Sequence, residues 1–161
     1  ITPELNVTTT GDPITITQGG GWGNPGEYDE SKAVKADNRV TINNGILNID
    51  SADDGIKSDS AIIINNGTIH IVESVEGLEA PEILIHGGEI HVTASDDATN
   101  ATYGTGGEWP DGSLLSMTGG YLVLSATGGD AIDSNGDFEI SGGTMIVHGP
   151  QSSRGCNGCQ W

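Results

Sequence analysis

The residues Ala61-Ile62-Ile63-Ile64-Asn65-Asn66-Gly67-Thr68-Ile69-His70-Ile71 join two alternating apolar strands through a turn that ends in glycine. The same figure recurs at Asn43-Asn44-Gly45, His86-Gly87-Gly88, Thr118-Gly119-Gly120 and Ser141-Gly142-Gly143. Successive turn glycines are separated by 22, 21, 32 and 23 residues. A fixed period in this range marks a repeat architecture, in which one unit cannot bury its own apolar face and stacking supplies the core.

Aligning the turns brings the flanking residues into columns. Before each turn stand Val40, Ile62, Ile83, Leu115 and Phe138, then Ile42, Ile64, Ile85, Met117 and Ile140. After it come Leu47, Ile69, Ile90, Leu122 and Met145, then Ile49, Ile71, Val92, Leu124 and Val147. Period-two alternation buries one face of a strand and solvates the other. A further column, Val34, Ile56, Leu78 and Ile132, opens each unit with a third short strand. The predicted fold is all-β, a single parallel β-helix (β-solenoid) of about 22 residues per rung and roughly 5–6 rungs, stacked at about 4.8 Å. Asn-Gly between alternating strands is also a strong hairpin signal. Hairpins, however, do not require the same apolar identity at the same offset in unit after unit, so an antiparallel meander ranks second.

The chain reads as one domain over residues 1–161, with N-terminal strands and a Gly-rich loop in 1–26, an inserted loop at 101–113 and a tail at 150–161. Its 23 Asp plus Glu against five Lys plus Arg give a net charge of −18, with no basic stripe to neutralise phosphates. Nucleic acid is therefore excluded as a partner, and cations are favoured. No apolar run reaches the roughly 18 residues of a membrane helix. A chain beginning at Ile1 rather than Met is expected to be a mature secreted chain at the cell surface or outside it, artificial trimming of a longer chain being the alternative. Cys156 and Cys159 are expected to form a short-range disulfide in the tail, with an intermolecular bridge as the minority option.

The acids also fall into columns. Between the last strand of one unit and the first of the next lie Asp53-Asp54, Glu76, Asp96-Asp97 and Asp130, and three residues on stand Lys57, Glu79, Asn100 and Asp133, with Lys35 in the first unit. Stacked one rung apart, like charges repel by about 1 kcal/mol per pair in water and several near a protein surface. Calcium offsets this well: its oxygen ligands lie at about 2.3–2.6 Å, so an ion midway between rungs reaches a carboxylate on each. Magnesium demands stricter octahedral geometry. The competing reading is a solvated turn face with Lys57 or Lys35 paired to the nearest acid. Candidate ligands are Asp53, Asp54, Glu76, Glu79, Asp96, Asp97, Asn100, Asp130 and Asp133.

The runs Lys32-Ala33-Val34-Lys35-Ala36-Asp37, Ser51-Ala52-Asp53-Asp54-Gly55-Ile56-Lys57-Ser58-Asp59, Ser74-Val75-Glu76-Gly77-Leu78-Glu79 and Gly129-Asp130-Ala131-Ile132-Asp133 carry a family resemblance. Over about residues 31–155 the chain resembles extracellular bacterial calcium-binding β-helix proteins known as carbohydrate-binding domain proteins. The resemblance implies a right-handed, pectate-lyase-like helix, several calcium ions between rungs, and acidic polysaccharides such as polygalacturonate as ligands. It carries Asp53, Asp54, Glu76, Glu79, Asp96, Asp97 and Asp133 over as ion ligands. Asp97 departs from the pattern, being followed by Ala98-Thr99-Asn100 where the family prefers Gly-Ile.

Aromatic residues outside the core columns, Trp22, Tyr103, Trp109 and Trp161, are candidates for stacking on sugar rings or for anchoring a subunit contact. No cap is evident at either end of the repeat, and uncapped ends, if complementary, join head to tail into an open filament; the alternative is that the terminal segments fold back as caps or that the chain is a fragment. The sequence thus places first a non-enzymatic, calcium-stiffened subunit of a fibre or matrix layer, polymerising with itself. Second stands a calcium-dependent module for acidic polysaccharide. A polysaccharide lyase ranks third, because it needs a base beside the ion and only Lys35 and Lys57 stand there.

Overall fold

The computed structural model describes residues 2–10, 31–104 and 109–150, and within them every regular element is a strand. Strand β1 (Glu4–Thr8) precedes five groups of three. The first is β2 (Val34–Ala36), β3 (Arg39–Ile42) and β4 (Ile46–Asp50); the second is β5 (Ile56–Ser58), β6 (Ala61–Ile64) and β7 (Thr68–Glu73). The third is β8 (Leu78–Ala80), β9 (Glu82–Ile85) and β10 (Glu89–Ala94); the fourth is β11 (Thr99–Ala101), β12 (Leu114–Met117) and β13 (Tyr121–Ala126). The last is β14 (Asp133–Ser134), β15 (Asp137–Ile140) and β16 (Thr144–His148).

Every third strand pairs in parallel, giving sheets β1-β4-β7-β10-β13-β16, β2-β5-β8-β11-β14 and β3-β6-β9-β12-β15. Strands joined by a glycine turn lie in different sheets, so the Asn-Gly turns close no hairpin and the antiparallel alternative is excluded. Three parallel sheets visited in rotation are consistent with a β-solenoid. The register reproduces the aligned columns: Ile42 pairs with Ile64, Ile64 with Ile85, Ile85 with Met117 and Met117 with Ile140. In the largest sheet Leu47, Ile69, Ile90, Leu122 and Met145 stand in line in the same way.

The turns stack because they are glycine. Gly67 has φ of +123°, a region costly for residues with a side chain. A Cβ there would also lie 2.9 Å from the Gly45 carbonyl oxygen, so the turns approach closer than alanine permits. Asn65 Nδ2 donates to Asn43 Oδ1 at 2.8 Å, continuing the ladder through side chains.

One aliphatic cluster fills the space between the sheets, with Ile62, Ile64, Ile69, Leu78, Ile83, Ile85 and Leu115 fully buried. Thr99 replaces the aliphatic residue of its column and is also fully buried; its hydroxyl donates to the Ala131 carbonyl, which satisfies the group. The last rung differs from expectation. Phe138, Ile140 and Val147 belong to core columns, yet are 39%, 51% and 43% exposed, because no described strand stacks on β15 and β16. The long interval falls between β11 and β12. Trp22, Trp161, Cys156 and Cys159, with the strand and loop expected in 14–26, lie outside the described residues.

Candidate functional site

Two parallel columns of charge run along one edge of the structure. The bends that carry the chain from the first sheet into the second are joined by Ala33 N–H to Asp54 O, Gly55 N–H to Glu76 O, Gly77 N–H to Asp97 O and Ala98 N–H to Asp130 O, at 2.8 to 3.0 Å. This places Lys32, Asp54, Glu76, Asp97 and Asp130 at equivalent levels. In the adjoining sheet Lys35 pairs with Lys57, Lys57 with Glu79, Glu79 with Asn100, and Asn100 with Asp133. Both columns begin with lysine and end with aspartate.

Asp54, Glu76 and Glu79 converge, with one carboxylate oxygen from each lying within 4.8 Å of the others; this is the one such group among the described residues. Lys32, which sequence reasoning did not single out, closes one side: its Nζ lies 2.7 Å from Asp54 Oδ2 and 3.1 Å from Asp53 Oδ2, with a side chain only 9% exposed. Its signal was available, since it stands 22 residues before Asp54 and three before Lys35. Lys57 closes the other side, bonded to Glu79 Oε2 and 4.0 Å from Asp54 Oδ2. Asn100 Nδ2 donates to Glu76 Oε1 at 3.0 Å from the rung beyond. Among the described residues Asn100 Oδ1 and, with Glu76 ionised, Glu76 Oε2 are buried with no hydrogen-bond donor in reach.

The electrostatics follow from this crowding. Burial, then the charge and hydrogen bond of Glu79, push the Glu76 carboxyl up to about 9 against the opposing bond from Asn100. Asp54 is raised to about 6 by burial, with Lys32 pulling the other way. Burial also opposes ionisation of Glu79, but hydrogen bonds with Lys57, Glu76 and Asp54 and the charge of Lys57 outweigh it, and its carboxyl is held low. At neutral pH the cluster therefore carries an ionised Glu79 and a protonated Glu76. Lys32 is held protonated: burial opposes its charge, and Asp54 and Asp53 more than restore it.

The remaining acids form a looser group further along. Asp97 Oδ1 accepts the Asp130 N–H at 2.6 Å. Asp96 Oδ1 and Asp97 Oδ1 both crowd the backbone at Gly129, 2.4 and 2.3 Å from where a Cβ would stand. Burial, opposed by the Asp130 N–H and reinforced by the charges of Asp96, Asp133 and Asp130, lifts Asp97 to about 7. These four do not close into a set as tight as Asp54, Glu76 and Glu79. Asp53 faces Lys32 and the Ser31 N–H rather than the cluster. Of the expected ligands, the structure thus brings together Asp54, Glu76, Glu79 and Asn100 and leaves Asp53, Asp96, Asp97, Asp130 and Asp133 around them. Tyr103 and Trp109 are 53% and 80% exposed on the inserted loop.

The donor set is oxygen only, which suits a hard cation such as calcium. The two orphaned oxygens are the feature a bound ion would resolve, because a buried polar atom without a partner costs about 1–3 kcal/mol.

The class defined so far is a parallel-sheet all-β protein with an acidic oxygen cluster on one edge. A family model described as carbohydrate-binding domain-containing protein matches residues 1–77, which are 77 of the 161 residues. The match takes in β1 to β7 together with Lys32, Asp54 and Glu76. No curated protein and no solved structure matches the chain.

Proposed function

We propose that this chain is an extracellular, non-catalytic carbohydrate-binding module, built on a right-handed parallel β-helix and stabilised by calcium. The observation that carries the reading is the family similarity over residues 1–77, which ends one residue beyond Glu76 of the acidic cluster. It favours the polysaccharide reading over the fibre subunit that the sequence placed first. Exposure of Phe138 and Ile140 is what any further rung would cover, and so speaks for no particular occupant. A lyase gains no support, since Lys57, the base candidate within the cluster, is bound to Glu79.

In this reading Asp54, Glu76, Glu79 and Asn100 hold the ion, with Glu76 giving up its proton on binding. Calcium would supply positive charge shared between the protein's carboxylates and those of a uronate chain, which a surface of net −18 would otherwise repel. Asp54, Glu76 and Glu79 as carboxylates, with Asp53 on Lys32, set four negative charges against those of Lys32 and Lys57, a balance that one divalent cation would complete.

The test is retention of the purified chain on immobilised polygalacturonate in calcium and in chelator. Retention in calcium, lost in chelator and lost in Glu76→Gln, is the expected result. Equal retention in calcium and chelator removes the ion from the function, and no retention in either removes acidic polysaccharide.

A further inference from the structure

Beside the acidic cluster, on its Lys57 and Glu79 side, a groove of about 230 Å³ opens between the ends of β5 and β8 and residues 102–104 after β11. Lys57, Asp59, Glu79, Thr102 and Tyr103 contribute its polar and aromatic lining. Its volume is below the roughly 300–1,000 Å³ of sites that enclose drug-sized ligands, so it suits a small unit of a larger molecule lying across it.

The Tyr103 end is built. Asp111 Oδ2 accepts the Tyr103 N–H at 2.8 Å and faces the Thr102 hydroxyl at 3.3 Å, while Asp111 Oδ1 accepts the Ser113 N–H at 2.9 Å. Thr102 Oγ1 in turn accepts the Gly104 N–H and Asn135 Nδ2, each at 3.0 Å. One carboxylate and one hydroxyl thus fix the backbone on both sides of Tyr103 while its side chain remains over half exposed. An aromatic ring carried on a fixed backbone at the mouth of a polar groove can serve as a stacking platform, with an apolar face for a ring's C–H groups and a hydroxyl for its rim.

The charge of the lining selects among sugars. One ammonium stands against two carboxylates, and the ammonium is already bonded to Glu79. A carboxylated sugar would meet Asp59 and Glu79 as like charges, whereas the hydroxyls of an uncharged sugar donate to those oxygens. We propose that this groove is a subsite for one neutral pyranose unit of a polysaccharide, with Tyr103 as the stacking platform and Asp59 as a hydroxyl acceptor. The proposal rests on the carbohydrate reading above but not on the cation.

The experiment is titration of the full chain with short cello-, xylo- and manno-oligosaccharides in chelator, followed by heteronuclear NMR or calorimetry. Polygalacturonate retention in calcium is run in parallel. At least one neutral series binds in chelator; Tyr103→Ala weakens it about tenfold, as loss of roughly 1.4 kcal/mol of ring stacking requires. Tyr103→Phe keeps most of the affinity. Neutral binding that Tyr103→Ala does not weaken overturns the subsite. So does absence of neutral binding while polygalacturonate is still retained, an outcome that leaves the acidic reading standing. Binding of neither overturns the carbohydrate reading and the subsite together.

Discussion

Replacing Glu76 by glutamine separates the proton from the carboxylate at the centre of the cluster. The Glu76 carboxyl is held up to about 9 in the folded chain, by burial first and then by Glu79, against about 4.3 in an unfolded one. Between these values the native state binds a proton that the unfolded state lacks, so this site's contribution to stability is full at low pH and is lost as pH rises toward 9. One proton of difference is worth about 1.4 kcal/mol per pH unit. Asp54, raised to about 6, and Asp97, raised to about 7, add slopes of the same sign at lower pH. In the window from about pH 7 to about pH 8.5 the slope is dominated by Glu76, the end of the Asp97 titration adding a smaller part, and there the wild-type chain should lose about 2 kcal/mol. Glutamine has the shape of the protonated acid and its amide oxygen can still accept from Asn100 Nδ2, but it has no proton to lose. Glu76→Gln should match wild type to within about 1 kcal/mol near pH 6 and show a nearly flat profile above pH 7. Urea unfolding in chelator, extrapolated to water at each pH, measures both. Equal slopes in wild type and variant across that window would refute the assignment of the proton to Glu76.

Calcium should raise the unfolding midpoint, and more at pH 8 than at pH 6 because the ion must displace the Glu76 proton; at a free concentration of 100 times Kd the gain is about 2.7 kcal/mol, read by thermal melts with and without chelator. Lys32→Gln leaves Asp54 without its closest cation in a buried setting and should destabilise by about 3 kcal/mol near pH 8, with a smaller loss below the Asp54 value of about 6, followed by the same urea series. Gly77→Ala would place a Cβ 2.2 Å from Val92 Cγ1 and 2.3 Å from the Ala98 carbonyl oxygen, and should lower stability by about 1–3 kcal/mol in calorimetric melts. Ile64→Ala, at a fully buried site in the middle of its column, should lose about 2–5 kcal/mol in urea unfolding.

The sheets were legible because one period governs two alternations at once. Ile42, Ile64, Ile85 and Met117 recur at a fixed offset from a glycine, and parallel pairing is the arrangement that brings residues of equal offset side by side. The same logic placed Glu79 beside Lys57 and Asn100, since their offset is the same whatever their charge. Exposure at Phe138 was not legible, because burial in a stacked array depends on the next rung and not on the residue itself. The direction of each acid was equally hidden: Asp53 and Asp54 are neighbours in sequence, yet only Asp54 reaches Glu76 and Glu79, while Asp53 turns to Ser31 and Lys32.

The lysines explain why the cluster forms where it does. A column of identical offsets would stack a carboxylate on a carboxylate at every level, and the repulsion would act against the pairing that the aliphatic core favours. Lys32 at the head of one column and Lys57 at the second level of the other set positive charge against Asp54 and Glu79. That leaves Glu76, one level further on, with two acids beside it and only the Asn100 amide donating to it. The proton at Glu76 follows from that position, and the proposal of a divalent ion draws on the same one: among the three converging acids it is the one whose charge no lysine meets, and once ionised its second oxygen is buried with no donor to accept from. In the cation reading metal and proton would compete for the Glu76 carboxyl, which makes the pH dependence of calcium stabilisation the measurement on which that reading stands or falls.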